Sequence, residues 1–153
     1  MEARLDLDRP DIGFSAAHFS IHGGRSERLH GHNYRVAVHV TGSVGGEGTV
    51  VDFRALKQAL RALCAGLDER MLVPTSSTSV RVEETNDGVS VAEGSRRFLF
   101  PRDDVVLLPI VNTTCECLAA HLLAVLRDSL GPTEYRLELR IEEAPGQGAS
   151  VRE

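Results

Sequence analysis

Alternation of apolar and polar positions predicts strands at three places along the chain. From Tyr34 to Val40 the even positions are Tyr and Val and the odd ones are Arg, Ala and His, which is the period-two pattern of a half-buried strand. The upstream stretch GFSAAHFSIH can form its antiparallel partner, with GGRS as the turn between them. Near the carboxyl end, YRLELRIEEAPGQGASV predicts one strand, a Pro and Gly turn, and a short last strand.

Two segments repeat their apolar residues at helical spacing. The first, VDFRALKQALRALCAGLD, has Asp52 as a candidate N-cap and Gly66 near its end. The second, TTCECLAAHLLAVLRDSLGP, has Thr113 and Glu116 at capping-box spacing and ends at a Gly-Pro pair. We therefore predict two amphipathic helices.

A further alternating stretch lies between the helices. In SVRVEETNDGVSVAEGSRRFLFP, valines alternate with polar residues on both sides of Asn86, Asp87 and Gly88, which predicts an inserted hairpin. The order of elements then predicts an α+β fold, with an antiparallel sheet carrying both helices on one face. No segment indicates parallel pairing. The length predicts a single domain over residues 1–153.

Charge and cysteine content narrow the choice of partner and compartment. The chain has 17 Lys and Arg against 22 Asp and Glu, with no basic stripe, which argues against nucleic acid and anionic membranes as partners. The amino terminus lacks an apolar leader and no apolar run could span a bilayer, so we expect a cytoplasmic protein.

The chain has three cysteines, Cys64, Cys115 and Cys117. Their odd number is typical of free thiols. The last two are predicted to be packing residues of the second helix.

Three histidines are the main candidates for chemistry. In SERLHGHNYRVAVHV, His30 and His32 share the parity of the apolar face, and His18 on the partner strand can join them. Three neutral imidazoles suit Zn²⁺ and leave a fourth position for water or substrate. The alternative is polar side chains at the edge of the core, but their shared parity favours the metal. The remaining histidines are given structural roles, although His22 can line a pocket.

Six segments, in this order, resemble the 6-pyruvoyl-tetrahydropterin synthase family, which includes the 6-carboxy-tetrahydropterin synthases. They are FSAAHF, ERLHGHNYRV, VVDFRALK, LDERML, NTTCECLA and RIEEAPGQ, and the resemblance covers nearly the whole chain. It implies the tunnelling T-fold, with Zn²⁺ held by His18, His30 and His32. It also implies a homo-oligomer, a trimer or hexamer, with which exposed alternating strands are compatible.

The catalytic residues depart from the usual pattern of that family. Most members have a cysteine four residues before the first histidine of H-G-H, where this chain has Ser26. Glu27 gives E-x-x-H-G-H, which resembles the type III branch, where a glutamate replaces the cysteine. In LDERML, Asp68 matches the family's aspartate and Glu69 stands in place of its histidine. The resemblance thus implies Glu27, Asp68 and Glu69 as catalytic residues.

Two further glutamates are implied in substrate binding. A glutamate of the last long strand anchors the pterin in this family, and Glu142 occupies that place, with Glu143 as the fallback. Strand parity puts Glu142 on the polar face, so a site there would lie away from the local core. Glu116 matches a family glutamate in T-x-E-N-L-A, although a capping box explains it equally well.

These residues together predict a zinc-dependent lyase acting on a pterin. The expected reaction cleaves the side chain of 7,8-dihydroneopterin triphosphate, or of dihydroneopterin, to 6-hydroxymethyl-7,8-dihydropterin, with Glu27 as base. One alternative is a 6-pyruvoyl- or 6-carboxy-tetrahydropterin synthase in which Asp68, Glu69 or His22 compensates for the missing cysteine. Others are a zinc-bearing pterin-binding protein without catalysis and a structural module that keeps only the T-fold.

Overall fold

A mixed sheet of seven strands is the frame of the computed structural model, which describes all 153 residues. A separate three-stranded sheet and a two-stranded hairpin flank it. Neither helix is both long and apolar enough to cross a membrane. In chain order the elements are β1 (Glu2–Leu7), β2 (Gly13–His18), β3 (Ile21–His22), β4 (Arg25–Ser26), β5 (His30–Ser43), α1 (Phe53–Ala65), β6 (Arg70–Pro74), β7 (Arg81–Thr85), β8 (Gly88–Glu93), β9 (Arg96–Phe100), β10 (Val105–Leu108), α2 (Cys115–Leu130), β11 (Arg136–Ala144) and β12 (Gln147–Arg152).

The long strand β5 organises the main sheet. On one side it pairs with β2 through its first half and with β1 through its second half, and on the other side with β11, always antiparallel. At the far edge, β6 pairs in parallel with both β2 and β10. The expectation of no parallel pairing is therefore wrong at this edge. Both strands are short apolar runs, RMLVP and VVLL, whose sequence carries no alternation that would reveal their pairing.

Both helices cover one face of the sheet, as predicted. Helix α1 begins after Asp52, whose side chain accepts a hydrogen bond of 2.8 Å from the Arg54 N–H. A single cluster of 24 buried residues fills the space between the helices and the sheet. It includes Leu56 and Leu60 from α1, and Leu118 and Leu122 from α2. The apolar stripes read from the sequence therefore form the core.

Leu139 on β11 offers a test of this core. Its side chain is fully buried in the main cluster, whereas Glu138 points to the opposite face and lies 3.7 Å from Arg4. Leu139→Ala should lower the free energy of unfolding by about 2–5 kcal/mol, because it leaves a cavity among packed side chains. Glu138→Ala should change it by less than about 1 kcal/mol. Urea denaturation of both variants measures the difference, and similar values for the two would contradict the described strand register.

The inserted segment has one strand more than the predicted hairpin. Strands β7, β8 and β9 form their own antiparallel sheet, and the turn between β7 and β8 lies at Asn86 and Asp87 as predicted. The segment also contributes to the packing of the domain, because Val89 and Val91 are buried in a second cluster with Phe19 and residues of β6 and β10. The insertion is thus anchored beside the end of β2.

Candidate active site

Three histidines converge at the end of β2, on the helix-covered face of the sheet. His18 lies opposite His30 in the antiparallel register, and His32 follows two residues later on β5. Because alternate residues of a strand share a face, the three continue the buried face to which Phe14 and Tyr34 belong. Their candidate ligand atoms all lie within 4.8 Å of one another. The structure therefore brings together the three predicted metal ligands.

The contacts of these rings suit metal binding. His18 Nδ1 lies 3.0 Å from the Thr113 carbonyl and His30 Nδ1 lies 2.7 Å from the Arg28 carbonyl. A carbonyl only accepts, so each Nδ1 carries the proton and each Nε2 has a free lone pair. His18 Nε2 is buried without any hydrogen-bond partner, and burial lowers the pKa of His18, which favours the neutral ring. A divalent metal that prefers nitrogen ligands fits this donor set.

The start of α2 supports His18, and it differs from the prediction by one residue. The N-cap is Thr114, whose hydroxyl accepts from the Cys117 N–H at 3.4 Å. Thr113 is instead fully buried, and its hydroxyl donates to the Phe19 carbonyl at 2.9 Å while its own carbonyl holds His18. The predicted capping box of Thr113 and Glu116 is therefore wrong. Glu116 faces the cavity beside the histidines.

This cavity has a volume of about 510 Å³, and only one of its twelve lining residues is hydrophobic. Strands β2, β5, β11 and β12, the β3–β4 hairpin and the first turn of α2 all contribute to it. Its size is in the range of small-molecule sites. The lining residues are His18, Ser20, His22, Glu27, His30, His32, Thr114, Cys115, Glu116, Glu143, Gln147 and Gly148.

A tight hairpin decides which side chains near the metal ligands enter the cavity. Strands β3 and β4 are joined by Gly23 and Gly24, with φ of 57° and 76°, a conformation that glycine adopts at no steric cost. Ile21 pairs with Ser26, and the Glu27 N–H donates to the Ser20 carbonyl at 2.8 Å. Residues directly opposite each other share a face. Ser20 and Glu27 therefore face the cavity, whereas Ser26 points away from it.

The Glu27 carboxylate is held in its ionised form. A hydrogen bond with Ser20 is the main cause that lowers the pKa of Glu27; burial opposes it in part, and His22 adds to the lowering. His22 Nε2 lies 3.4 Å from Glu27 Oε1 and 3.2 Å from Ser20 Oγ. Glu27 is thus a carboxylate, and not a carboxylic acid, at neutral pH.

Cys115 is the only cysteine that lines the cavity. It is buried in the main cluster, as expected of a packing residue, and burial raises the pKa of its thiol to about 11, with a further contribution from the Glu143 carboxylate. A thiol with this pKa is protonated at neutral pH and is a weak base or nucleophile. The cavity therefore offers a carboxylate rather than a thiolate for proton transfer.

The two candidate pterin anchors, Glu142 and Glu143, lie on opposite faces of β11. Glu142 pairs with Arg140 at 2.8 Å and does not line the cavity, whereas Glu143 does, with its Oε2 3.8 Å from His32 Nε2. Gln147 donates to the Glu143 carboxylate at 2.7 Å. Glu143 has the parity of Leu139 and the other buried residues of β11, and this parity was the signal that could have identified it. Of the two, Glu143 is the one that lies in the cavity with the three histidines, and a role of either residue in pterin binding stays a prediction.

Asp68 and Glu69 lie outside this cavity. Asp68 Oδ1 accepts from the Ser15 N–H at 2.8 Å, and the Glu69 N–H donates to the Ser15 carbonyl at 2.7 Å. Glu69 has a φ of 57°, which is uncommon for a residue with a side chain. It lines a separate cavity of about 390 Å³ with Arg70 and Phe100. A catalytic role for Asp68 and Glu69 stays a prediction.

Comparison with known proteins identifies the family. The family model described as 6-pyruvoyl tetrahydropterin synthase matches residues 10–153. The chain belongs to this family. A Methanocaldococcus jannaschii protein that carries the provisional name 6-carboxy-5,6,7,8-tetrahydropterin synthase is 30% identical over 146 residues, which is 92% of this chain and 90% of that protein. Membership groups the chain with pterin-metabolising enzymes.

Solved structures of the family share the whole fold. The crystal structure of 6-pyruvoyl tetrahydropterin synthase from Plasmodium vivax superposes with a TM-score of 0.95 at 30% identity, covering 100% of this chain and 98% of that one. A variant of the P. vivax enzyme, in which a glutamate described as a catalytic residue is replaced by alanine, gives the same TM-score of 0.95 at 29% identity, with coverage of 100% and 98%. The α+β T-fold implied by the sequence resemblance is thereby confirmed.

Proposed function

We propose that this family member is a zinc-dependent lyase that cleaves the side chain of 7,8-dihydroneopterin, or of its triphosphate, with Glu27 as the base. The observation that carries the proposal is that the cavity of the three histidines contains the ionised carboxylate of Glu27 and no thiolate. The description of a glutamate as catalytic in the P. vivax enzyme supports the same role here. The expected product is 6-hydroxymethyl-7,8-dihydropterin.

The lining of the cavity supports a pterin as the ligand. The amino-pyrimidine edge of a pterin presents N–H donors, and a carboxylate can accept two of them side by side. Glu143 and Glu116 both line the cavity, and Gln147 orients Glu143. We assign Glu143 as the anchor of this edge, with Glu116 as a second acceptor. The pterin side chain would then extend towards the histidines and Glu27.

The chain's residues define one route for the reaction. When bound by His18, His30 and His32, Zn²⁺ supplies Lewis acidity to the side-chain hydroxyls of the substrate. Glu27 removes the proton of the second side-chain hydroxyl, and the bond between the first and second side-chain carbons breaks. The electron pair passes into the conjugated ring, and a proton returns to the first carbon. The products are the hydroxymethyl pterin and a two-carbon aldehyde.

The names of the relatives favour a second candidate better than the first. The curated archaeal relatives are named 6-carboxy-5,6,7,8-tetrahydropterin synthase and the P. vivax enzyme 6-pyruvoyl tetrahydropterin synthase. For either reaction another group takes the place of the missing cysteine. Glu27 is one candidate, because the P. vivax enzyme has a glutamate described as catalytic. His22 is the other candidate in the cavity, 3.4 Å from Glu27.

Product analysis tests the two candidates against each other. Zinc-loaded protein is incubated with 7,8-dihydroneopterin triphosphate and, separately, with dihydroneopterin, and the products are identified by mass and retention time. Release of 6-hydroxymethyl-7,8-dihydropterin supports the first candidate. A 6-pyruvoyl or 6-carboxy product overturns it in favour of the second. Bound but unchanged pterin would leave the chain a pterin-binding protein.

We also infer that the protein is a homo-oligomer. The main sheet ends at β10 on one side and β12 on the other, and unpaired edge strands favour pairing with another copy. A trimer or a hexamer remains the expected size, which sedimentation equilibrium measures directly. A monomer at micromolar concentration would contradict the inference.

Glu143 and Glu142 form a matched pair for testing substrate binding. Glu143→Gln replaces a charged acceptor in the cavity and should weaken pterin binding about 10- to 100-fold, the value of a charge-assisted hydrogen bond. Glu142→Gln removes a carboxylate whose partner is Arg140 outside the cavity and should leave binding within about twofold. Fluorescence titration with a pterin measures both. The reverse order of effects would restore Glu142 as the anchor.

A further inference from the structure

Two polar residues of the inserted sheet, Glu93 and Arg96, hold the segment that carries Glu27 through contacts with Ser26 and with the Glu27 carbonyl. Glu93 Oε2 accepts from the Ser26 N–H at 3.1 Å and also from the Ser26 hydroxyl. Arg96 Nη1 lies 2.9 Å from the Ser26 carbonyl, 2.5 Å from the Ser26 hydroxyl and 2.7 Å from the Glu27 carbonyl. We call Ser26, Glu93 and Arg96 the Ser26 clamp.

The clamp is itself rigidly supported. Glu93 and Arg96 face each other across the β8–β9 turn, and the Arg96 guanidinium lies 5.3 Å from the centre of the Phe98 ring. Phe98 stacks on Phe19, which is buried in the second cluster one residue after His18. The inserted sheet therefore connects the β3–β4 hairpin to the strand end that carries the metal ligands.

We propose that the inserted sheet positions the base: Glu93 and Arg96 are positioning residues that hold Ser26 outward and thereby direct Glu27 into the cavity. This inference rests on the proposed function of Glu27. Consecutive residues of an extended segment project to opposite faces, so fixing the side chain of Ser26 on the insertion side fixes that of Glu27 on the cavity side. Hydrogen bonds to both carbonyls also restrict rotation of the segment between them.

The burial and negative charge of Glu93 strengthen its hydrogen bonds with Ser26. The Glu93 side chain is 14% exposed, and hydrogen bonds from Ser26 lower the pKa of its carboxyl. An ionised acceptor in a shielded place makes strong hydrogen bonds. All contacts of Arg96 with the segment come from Nη1, whose position is fixed by the planar guanidinium lying over the Phe98 ring, and a flexible ammonium group lacks this fixed placement. Misplacing a catalytic group by about 1 Å can lower a rate about 100-fold.

Arg96→Ala tests the proposal, with Arg97→Ala as the matched control. Arg97 is the next residue on β9, is exposed and faces away from the clamp, lining another cavity together with Arg81 of β7. Arg96→Ala should lower kcat about 10- to 100-fold and change KM less than about threefold, because substrate binding stays intact. Arg97→Ala should leave both constants unchanged. Arg96→Lys should restore only part of kcat.

A double variant separates positioning of Glu27 from a general loss of structure. If Arg96 acts through Glu27, Arg96→Ala should cause no further loss of kcat in a Glu27→Gln background. Wild-type kcat in Arg96→Ala, or an equal further loss in the double variant, would overturn the proposal. Should Arg96→Ala fail to fold, Ser26→Ala and Glu93→Gln replace it, and each should lower kcat in the same direction but by less, because the hydrogen bonds from Arg96 to the two carbonyls remain.

Amide hydrogen exchange tests the Ser26 clamp independently of enzyme activity. The Glu27 amide should exchange at least about tenfold faster in Arg96→Ala than in the wild type, and at the wild-type rate in Arg97→Ala. Unchanged exchange in both variants would overturn the clamp. The proposed function would be contradicted instead by a wild-type protein without turnover or by a fully active Glu27→Gln variant. In either case the exchange rate of the Glu27 amide would still show whether Arg96 holds the segment.

Discussion

Glu27→Gln is expected to lower kcat about 100- to 10,000-fold, the range for loss of a general base. Glutamine has nearly the shape of glutamate but cannot take up a proton, so the hydroxyl of the bound substrate would stay protonated. Metal content and pterin affinity should remain near wild type, because neither the three histidines nor Glu143 is altered. Steady-state kinetics, together with metal analysis and pterin titration on the same sample, measures all three quantities.

The control for this experiment is Glu47→Gln. Glu47 is an exposed glutamate in the loop after β5, at the end of that strand remote from the histidines, and its replacement should leave kcat unchanged. Glu27→Asp should retain part of the activity, since it keeps the carboxylate but shortens its reach. A Glu27→Gln variant with wild-type kcat would remove Glu27 from the mechanism and direct attention to His22.

His30→Ala is expected to weaken binding of Zn²⁺ by at least about 100-fold, and activity should fall with the bound metal. Replacing outer partners of ligands already costs about 10- to 100-fold in affinity, and losing a ligand leaves two histidines where catalytic zinc sites usually have three protein ligands. Of the three, His30 is the exposed one and His18 the buried one, so His30→Ala removes a ligand with the least disturbance of the core.

His39→Ala provides the control for metal binding. His39 lies on the same strand but on the opposite parity and bonds to Asp6, so its replacement should leave the metal content at one ion per chain. Isothermal titration with Zn²⁺ and elemental analysis after gel filtration measure the difference. Equal metal content in the His30→Ala and His39→Ala variants would show that the cluster is not the metal site.

The sequence predicted those parts of the fold in which periodicity is strong. Strand β5 and both helices have clear repeats, and the parity of His18, His30 and His32 placed all three on one face. Strands β6 and β10 are apolar throughout apart from Arg70, so their pairing direction depends on neighbours that are distant in sequence. Strand β9, RRFLF, lies beyond the first hairpin turn, and its pairing with β8 and the packing of Phe98 on Phe19 depend on tertiary contacts that its sequence does not reveal.

The clustering of the three histidines was predicted from the sequence, but the other residues that line the cavity were predicted only in part. Glu142 and Glu143 are adjacent, and the family pattern pointed to the first while strand parity pointed to the second. The capping box failed for a similar reason, because Thr113 and Thr114 are both possible caps and only the contact of Thr113 with His18 decides between them. The contacts of Glu93 and Arg96 with Ser26 link residues about seventy positions apart. No local sequence pattern predicts contacts over that distance.

The two-glycine turn between β3 and β4 has a consequence for how this family can change its chemistry. Because the turn fixes which of two consecutive residues enters the cavity, a cysteine introduced at Ser26 would point to the inserted sheet and not to the metal ligands. Exchange between a thiol at the earlier position and a carboxylate at the later one therefore requires a hairpin of different length or register.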